Sequence, residues 1–311
     1  MLNGFLVLNK PAGFTSHDAV AKLRGILKMR RIGHAGTLDP MAEGVLVILL
    51  GVATRASEYA SGAEKEYVAG LRLGYVTDTQ DSTGAVLERH DVAAAQDDVR
   101  RAAESFLGTS SQLPPMYSAV QVGGVRLYDL ARQGIEVERQ SRDITISDIE
   151  LLPPQEGDGP EDYRLRVCCS KGAYIRTLCH DIGRKLGCGA CMTSLVRTRS
   201  GDFSLEDALT FEEIAAAVQD GGIERHIRPA DGLFADLPAL TATEEGAVRA
   251  VNGAHLRQKH LQSGVVPTEG RLCRVYAPDG EFLLLGVVRP LDRGGLAVFC
   301  HKYFTVKEDR A

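Results

Sequence analysis

Gly33-His34-Ala35-Gly36-Thr37-Leu38-Asp39-Pro40 places one carboxylate in a glycine-rich loop between a basic helix and an apolar strand. Upstream, residues 16 to 31 carry Val20, Leu23 and Leu27 at helical spacing, with Lys22, Arg24, Lys28, Arg30 and Arg31 on the polar face and Ser16 as the predicted N-cap. Downstream, Val45 to Leu50 reads as a buried strand. Glycine reaches backbone conformations closed to other residues and Pro40 restricts the chain, so Asp39 is set on a stiff turn. A fixed acid beside a basic face points to a substrate that carries phosphate. The same spacing also suits an aspartate that only caps or turns the chain.

Around this loop lies a chain of 311 residues, 44% hydrophobic, enough to bury a substantial core and form two domains. Met1 to Lys10 shows no charged leader or cleavage site and no apolar run reaches the length of a membrane span, which makes the cytoplasm the expected location. Seven cysteines, an odd number with Cys168 and Cys169 adjacent, suggest free thiols in a reducing compartment. A formal charge of −5 argues against a generally basic nucleic-acid binder, but the charges segregate. Residues 20 to 34 hold five Lys and Arg and no acid, and residues 163 to 199 hold eight against the single Asp181. An RNA partner therefore stays open.

The pattern along the chain is α+β without repeats. Strands are predicted at Phe5 to Leu8, Glu66 to Leu73, Ile144 to Leu152, Tyr163 to Cys169 and Ser194 to Arg199, and helices at Asp97 to Leu107, Arg126 to Arg132, Ile175 to Leu186 and Phe211 to Gln219. Pro229, Gly232 and Pro238 break the pattern and set a boundary between residues 1–237 and 238–311. Beyond it come a helix, Glu244 to Val251, and short strands joined by Pro278-Asp279-Gly280 and Arg293-Gly294-Gly295, a pattern suited to a small barrel or sandwich.

Three further stretches stand beside the Asp39 loop. Alternation from Lys65 to Gly74 puts Tyr67, Ala69, Leu71 and Leu73 on one face, where Tyr67 is core or site. Ser170-Lys171-Gly172-Ala173-Tyr174-Ile175-Arg176 turns from a strand into a helix and puts Arg176 in the first turn, against the helix dipole. A carboxylate such as Asp39 would supply the partner it needs. Residues 114–143 form a long excursion from the sheet, of the kind that closes over ligands.

These stretches resemble the TruB family of bacterial tRNA pseudouridine-55 synthases from Phe5 to about Phe203. The carriers are Lys10-Pro11-Ala12-Gly13-Phe14-Thr15-Ser16, the Gly33 to Pro40 loop, Lys65-Glu66-Tyr67, Met116-Tyr117-Ser118-Ala119, Tyr128 to Gly134 and Ser170 to Leu178. The resemblance implies a pseudouridine synthase fold, with a central mixed, largely antiparallel sheet flanked by helices and a small C-terminal β-barrel of PUA-like type. It implies catalysis by Asp39, Tyr67 and Arg176: an essential aspartate, a tyrosine packed on the target base and an arginine paired with the aspartate. Tyr174 and Leu195 would line the pocket, His34 would enter the space left by the flipped base, and Gly36 and Thr37 would shape the loop that meets it. Lys10 and Lys171, with Arg30, Arg31 and the excursion, would contact phosphates. The implied partner is the T-arm stem-loop of tRNA, with no cofactor, no metal, no membrane and no obligate protein partner.

The same residue types also suit other chemistries. Cys188-Gly189-Ala190-Cys191 has the spacing of half a zinc site, with His180, Cys168 or Cys169 as completions. Asp39, Asp78 and Asp81 could serve a magnesium-dependent hydrolase. A non-catalytic RNA binder would keep the basic face without needing Asp39.

Overall fold

A computed structural model describes residues 2–292 and 294–305. Arg293 in the predicted turn, Met1 at the start of the chain and residues 306–311 of the expected C-terminal domain lie outside the described residues. The strands of the first domain are β1 (Gly4–Lys10), β2 (Ile32–Ala35), β3 (Glu43–Leu50), β4 (Lys65–Leu73), β5 (Gly108–Gln112), β6 (Arg142–Leu152), β7 (Asp162–Cys169) and β8 (Ala190–Ser200). They form a sheet in the order β1-β3-β8-β4-β7-β6-β5, with β2 beside β3 and Phe203–Ser204 beside β8. Every pairing in this sheet is antiparallel except β3 with β8, which run parallel where Val196 meets Glu43 and Arg197 meets Gly44.

Four helices cover the sheet: α1 (Ser16–Leu27), α2 (Gln96–Glu104), α4 (Ile175–Leu186) and α5 (Phe211–Gln219), while α3 (Leu127–Arg132) lies in the excursion. Val20 and Leu23 of α1, Val99 of α2, Leu178 and Ile182 of α4 and Ile214 of α5 share one core with Leu46, Leu71, Leu165 and Met192 of the strands. Burying such side chains supplies about 1.5–3 kcal/mol each and is the main drive for assembling the domain. The opposite face of the central strands carries ion pairs: Arg72 with Asp162, Arg166 with Asp148 and Glu150, and, past the register shift that follows Arg197, Arg199 with Glu64. The basic run 163–199 is therefore divided between two faces, because strand alternation sends neighbouring residues opposite ways.

The helix expected over 16–31 ends at Leu27, where Lys28 turns left-handed at φ 51°. Its cap is Thr15, whose hydroxyl accepts from Asp18 N at 3.0 Å while Asp18 Oδ2 accepts from Thr15 N at 3.0 Å. Ser16, predicted as the cap, instead reaches the Asp39 loop. His34 lies on β2, since that part of the glycine-rich stretch pairs with β3 as a strand.

The C-terminal part has its own core of Leu240, Ala250, Leu256, Val275, Leu284 and Val298. It consists of β9 (Ala239–Thr241), α6 (Glu244–Val251), β10 (Leu272–Tyr276), β11 (Phe282–Pro290) and β12 (Leu296–Tyr303), in sheet order β9-β10-β11-β12. The expected barrel is an open four-stranded sheet among the described residues, extended by isolated bridges at Ala242–Leu261 and Leu256–Val298. Phe234 joins the two parts, its ring 5.8 Å from Tyr59, 6.2 Å from Phe282 and 5.5 Å from Phe304. Among the described residues no helix is long and apolar enough to cross a membrane.

Candidate active site

Asp39 and Arg176 are 137 positions apart and meet in a bidentate pair. Arg176 Nε donates to Asp39 Oδ2 at 2.8 Å and Nη2 to Oδ1 at 3.0 Å. The same guanidinium donates to Tyr117 O at 2.8 Å and Thr79 O at 3.2 Å, and Asp81 Oδ2 lies 3.8 Å from Nη1. The arginine side chain is 5% exposed and that of Asp39 33%, so the pair is anchored on its protein side and open on the carboxylate side. Two parallel charge-assisted bonds fix the carboxylate in angle as well as position.

The loop holding Asp39 is tied at every turn. Leu38 N donates to Ser16 Oγ at 2.8 Å, Gly13 N to Pro40 O at 2.8 Å, and Ala42 N to Asp39 O at 3.1 Å. Gly36 sits at φ +87°, a conformation that favours glycine, and Thr37 is exposed beside it. Beneath them Arg197, from β8, donates to Val45 O at 2.6 Å, Gly36 O at 3.1 Å and Thr37 O at 3.5 Å.

Tyr67 on β4 sits between Val167 of β7 and Arg197 of β8 and is 9% exposed. Burial raises its phenol pKa, partly opposed by the Arg197 guanidinium, while the charge of Asp39 adds a smaller push upward. Leu195 is buried in the same cluster as Tyr67 and Leu38. Tyr174 precedes α4 and is held through its backbone by Gln112, at 2.7 Å to its N and 3.1 Å from its O. Lys171 is exposed in the turn before it. His34 has a buried Nδ1 without a partner among the described residues, and burial, then the charges of Arg197 and His17, lower its pKa and favour the neutral ring.

Lys10 departs from its expected phosphate contact. It has no exposed surface, and its Nζ donates to Phe14 O at 2.7 Å and Pro11 O at 2.9 Å, with Pro40 O at 3.5 Å. Burial holds its pKa down to about 8. It is a brace for the loop, because three backbone carbonyls converge where the sequence suggested solvent.

The three acids proposed for a metal do not face one another as ligands. The Arg176 guanidinium reaches both Asp39 and Asp81, and Asp78 Oδ1 accepts from Ala85 N at 2.8 Å. Cys188 and Cys191 are buried, and among the described residues no three His, Cys, Asp or Glu side chains gather as a metal-ligand set. Sequence reasoning missed Arg197 and Gln112, and it considered Asp81 only as a metal ligand, whereas Asp81 lies beside Arg176. Arg197 shares strand parity with buried Leu195, and that alternation was the signal that could have turned it inward.

A largely antiparallel mixed sheet that delivers an aspartate from one wing and an arginine from the helix after a central strand defines the class of pseudouridine synthases. Residues 24–175 match the family described as TruB family pseudouridylate synthase (N terminal domain), and residues 176–235 match the tRNA pseudouridylate synthase B C-terminal domain. The chain belongs to the TruB family. It is 43% identical over 299 residues to tRNA pseudouridine synthase B of Bacillus subtilis (strain 168), covering 94% of this chain and 96% of that one. It is 52% identical over 244 residues to the protein of that name from Heliobacterium modesticaldum, covering 78% of each. Among solved structures, "Crystal Structure of a Cbf5-Nop10-Gar1 Complex" superposes with a TM-score of 0.74 at 28% identity, covering 97% of this chain and 85% of that chain.

Proposed function

We propose that this protein is a tRNA pseudouridine synthase acting on uridine 55 of the T-loop. The observation that carries the reading is the Asp39–Arg176 pair, a carboxylate held at 2.8 and 3.0 Å yet one-third exposed. In the reaction the N1–C1′ bond of uridine breaks, the uracil turns, a C5–C1′ bond forms, and the C5 proton leaves as N1 gains one. The change is redox-neutral and is assigned no cofactor. Asp39 acts as nucleophile or as the base that removes a sugar proton, and Arg176 aims it and favours its ionised form. Tyr67 stacks on the freed base, an interaction worth about 1–3 kcal/mol with an aromatic side chain, and Leu195 and Tyr174 close the pocket.

The target base must leave its stack to reach this site. His34, half-buried on β2, fills the vacated space, while Lys171 and the 114–143 excursion grip the T-arm backbone. Residues 1–237 are the catalytic domain and 238–311 a PUA-like RNA-binding domain. The setting is the cytoplasm, with tRNA as partner and no obligate protein partner, although the structural neighbour named above is a complex with two other proteins.

The test is an unmodified tRNA transcript incubated with the protein and with Asp39→Asn, followed by mapping of pseudouridine. The expected result is pseudouridine at position 55 from the wild type, with the rate lowered about 10³-fold or more in the variant. Equal product from both, or modification at a different uridine, would overturn the reading.

A further inference from the structure

Arg197 is the largest of the fully buried side chains among the described residues, at 1% exposed, and with Lys10 it is a cation among buried Phe, Leu and Ile. A buried guanidinium is costly in lost hydration unless its donors are satisfied. Its place in the sheet supplies that satisfaction. On one edge of β3, β2 pairs only as far as Val47, and β8 joins only at Glu43 and Gly44. Val45 lies in the notch between them, and Arg197 Nε fills the notch by donating to Val45 O at 2.6 Å.

The rest of the guanidinium turns upward to the Asp39 loop, gripping Gly36 O at 3.1 Å and Thr37 O at 3.5 Å. Two glycines make this geometry available. At Gly44, φ +100°, a methyl group would lie 2.3 Å from Arg197 O, so only glycine lets the two strands approach closely enough to bring the side chain beneath the loop. At Gly36, φ +87°, the peptide turns its carbonyl toward the guanidinium. Across the sheet, Arg197 stands opposite Tyr67 in the β4–β8 register. One planar group thus touches the loop that carries the carboxylate and neighbours the ring assigned to the base.

We infer that Arg197 is a positioning residue for the reaction, setting the Asp39 loop against Tyr67 through the Gly36, Thr37 and Val45 carbonyls. The inference rests on the synthase reading given above. Lysine in its place keeps the charge but cannot span three carbonyls lying in different directions. A displacement of about 1 Å at the reacting groups costs on the order of 100-fold in rate.

The experiment is single-turnover conversion of a T-arm hairpin transcript, with enzyme in excess, by the wild type and Arg197→Lys. The expected result is a limiting rate constant lower by about 100-fold, with hairpin affinity within about threefold of wild type. A purely structural role would lower the competent fraction, so that more enzyme is needed to saturate while the limiting rate constant stays unchanged. That outcome overturns the inference. Should Arg197→Lys fail to fold, Gly36→Ala, which displaces the gripped carbonyl and leaves the arginine in place, is expected to show the same loss, and a wild-type limiting rate in that variant overturns the inference too. A wild type that forms no pseudouridine overturns the synthase reading itself, and the inference with it; turnover by the wild type and by Arg197→Lys at the same limiting rate rejects the inference alone.

Discussion

At the scale of single residues, the described part of the first domain buries four cations, Lys10, Lys65, Arg176 and Arg197, and one carboxylate, Asp81. All four cations hold backbone carbonyls, and Arg176 alone also holds the Asp39 carboxylate. Arg176→Lys keeps the charge but loses the fork that grips both oxygens of Asp39 and the Tyr117 and Thr79 carbonyls. We expect its single-turnover rate to fall about 100-fold, with a smaller change in RNA affinity, read by titrating enzyme against the T-arm hairpin. Lys10 makes a pH-dependent contribution. Its folded pKa is lowered from 10.5 to about 8, so between those values the unfolded chain holds more protons and stability rises with pH. Replacing Lys10 with Met removes that rise. In urea titrations from pH 7.5 to 10.5, the variant is expected to lose up to about 1.4 kcal/mol per pH unit of slope, and an unchanged slope would refute the assignment.

At the scale of elements, what was legible in the sequence depended on the range of the interaction that fixes it. The α4 and α5 boundaries, Ile175–Leu186 and Phe211–Gln219, follow from local caps and apolar spacing and coincide with the structure. The Asp39–Arg176 pairing was readable because a cation in a first helical turn needs an acid from elsewhere. By contrast, β2 and β5 carry weak strand patterns and exist because β3 and β6 offer them an edge, a tertiary effect invisible to local propensity. Lys10 was misread for the same reason, since the carbonyls of Phe14 and Pro40 come together only in the folded loop. The packing that aims Arg176 has its own narrow point. Gly183, mid-α4, lies so close to β8 that a methyl group there would sit 2.1 Å from Ala190 N. Gly183→Ala must push α4 off the sheet and, with it, Arg176 off Asp39. We expect thermal unfolding to drop by several degrees, consistent with about 1–3 kcal/mol of overpacking, together with a loss of turnover larger than the loss of RNA binding.

At the scale of the whole molecule, two separate cores are joined by an aromatic seam. Phe234 leaves the first domain and is 5% exposed against Phe304 and Leu285 of the C-terminal sheet, with Ala56 behind it. Arg55 Nη1 donates to Tyr303 O at 2.9 Å across the same seam. A joint of this kind sets where a second RNA contact falls relative to the Asp39 cleft, and linked contacts gain affinity only when both can be engaged at once. Phe234→Ala removes the central ring of the seam and should cost about 3–5 kcal/mol of coupling, while the Asp39 loop, built from β2, β3, α1 and β8, keeps its own ties. The expected outcome is two resolved transitions in calorimetry in place of a coupled one, with turnover of the isolated T-arm hairpin within about threefold of wild type and weaker binding of full-length tRNA. If hairpin and full-length tRNA were affected alike, the C-terminal sheet would contribute stability to the catalytic domain rather than a second hold on the RNA, since only a second hold discriminates between a short substrate and a long one.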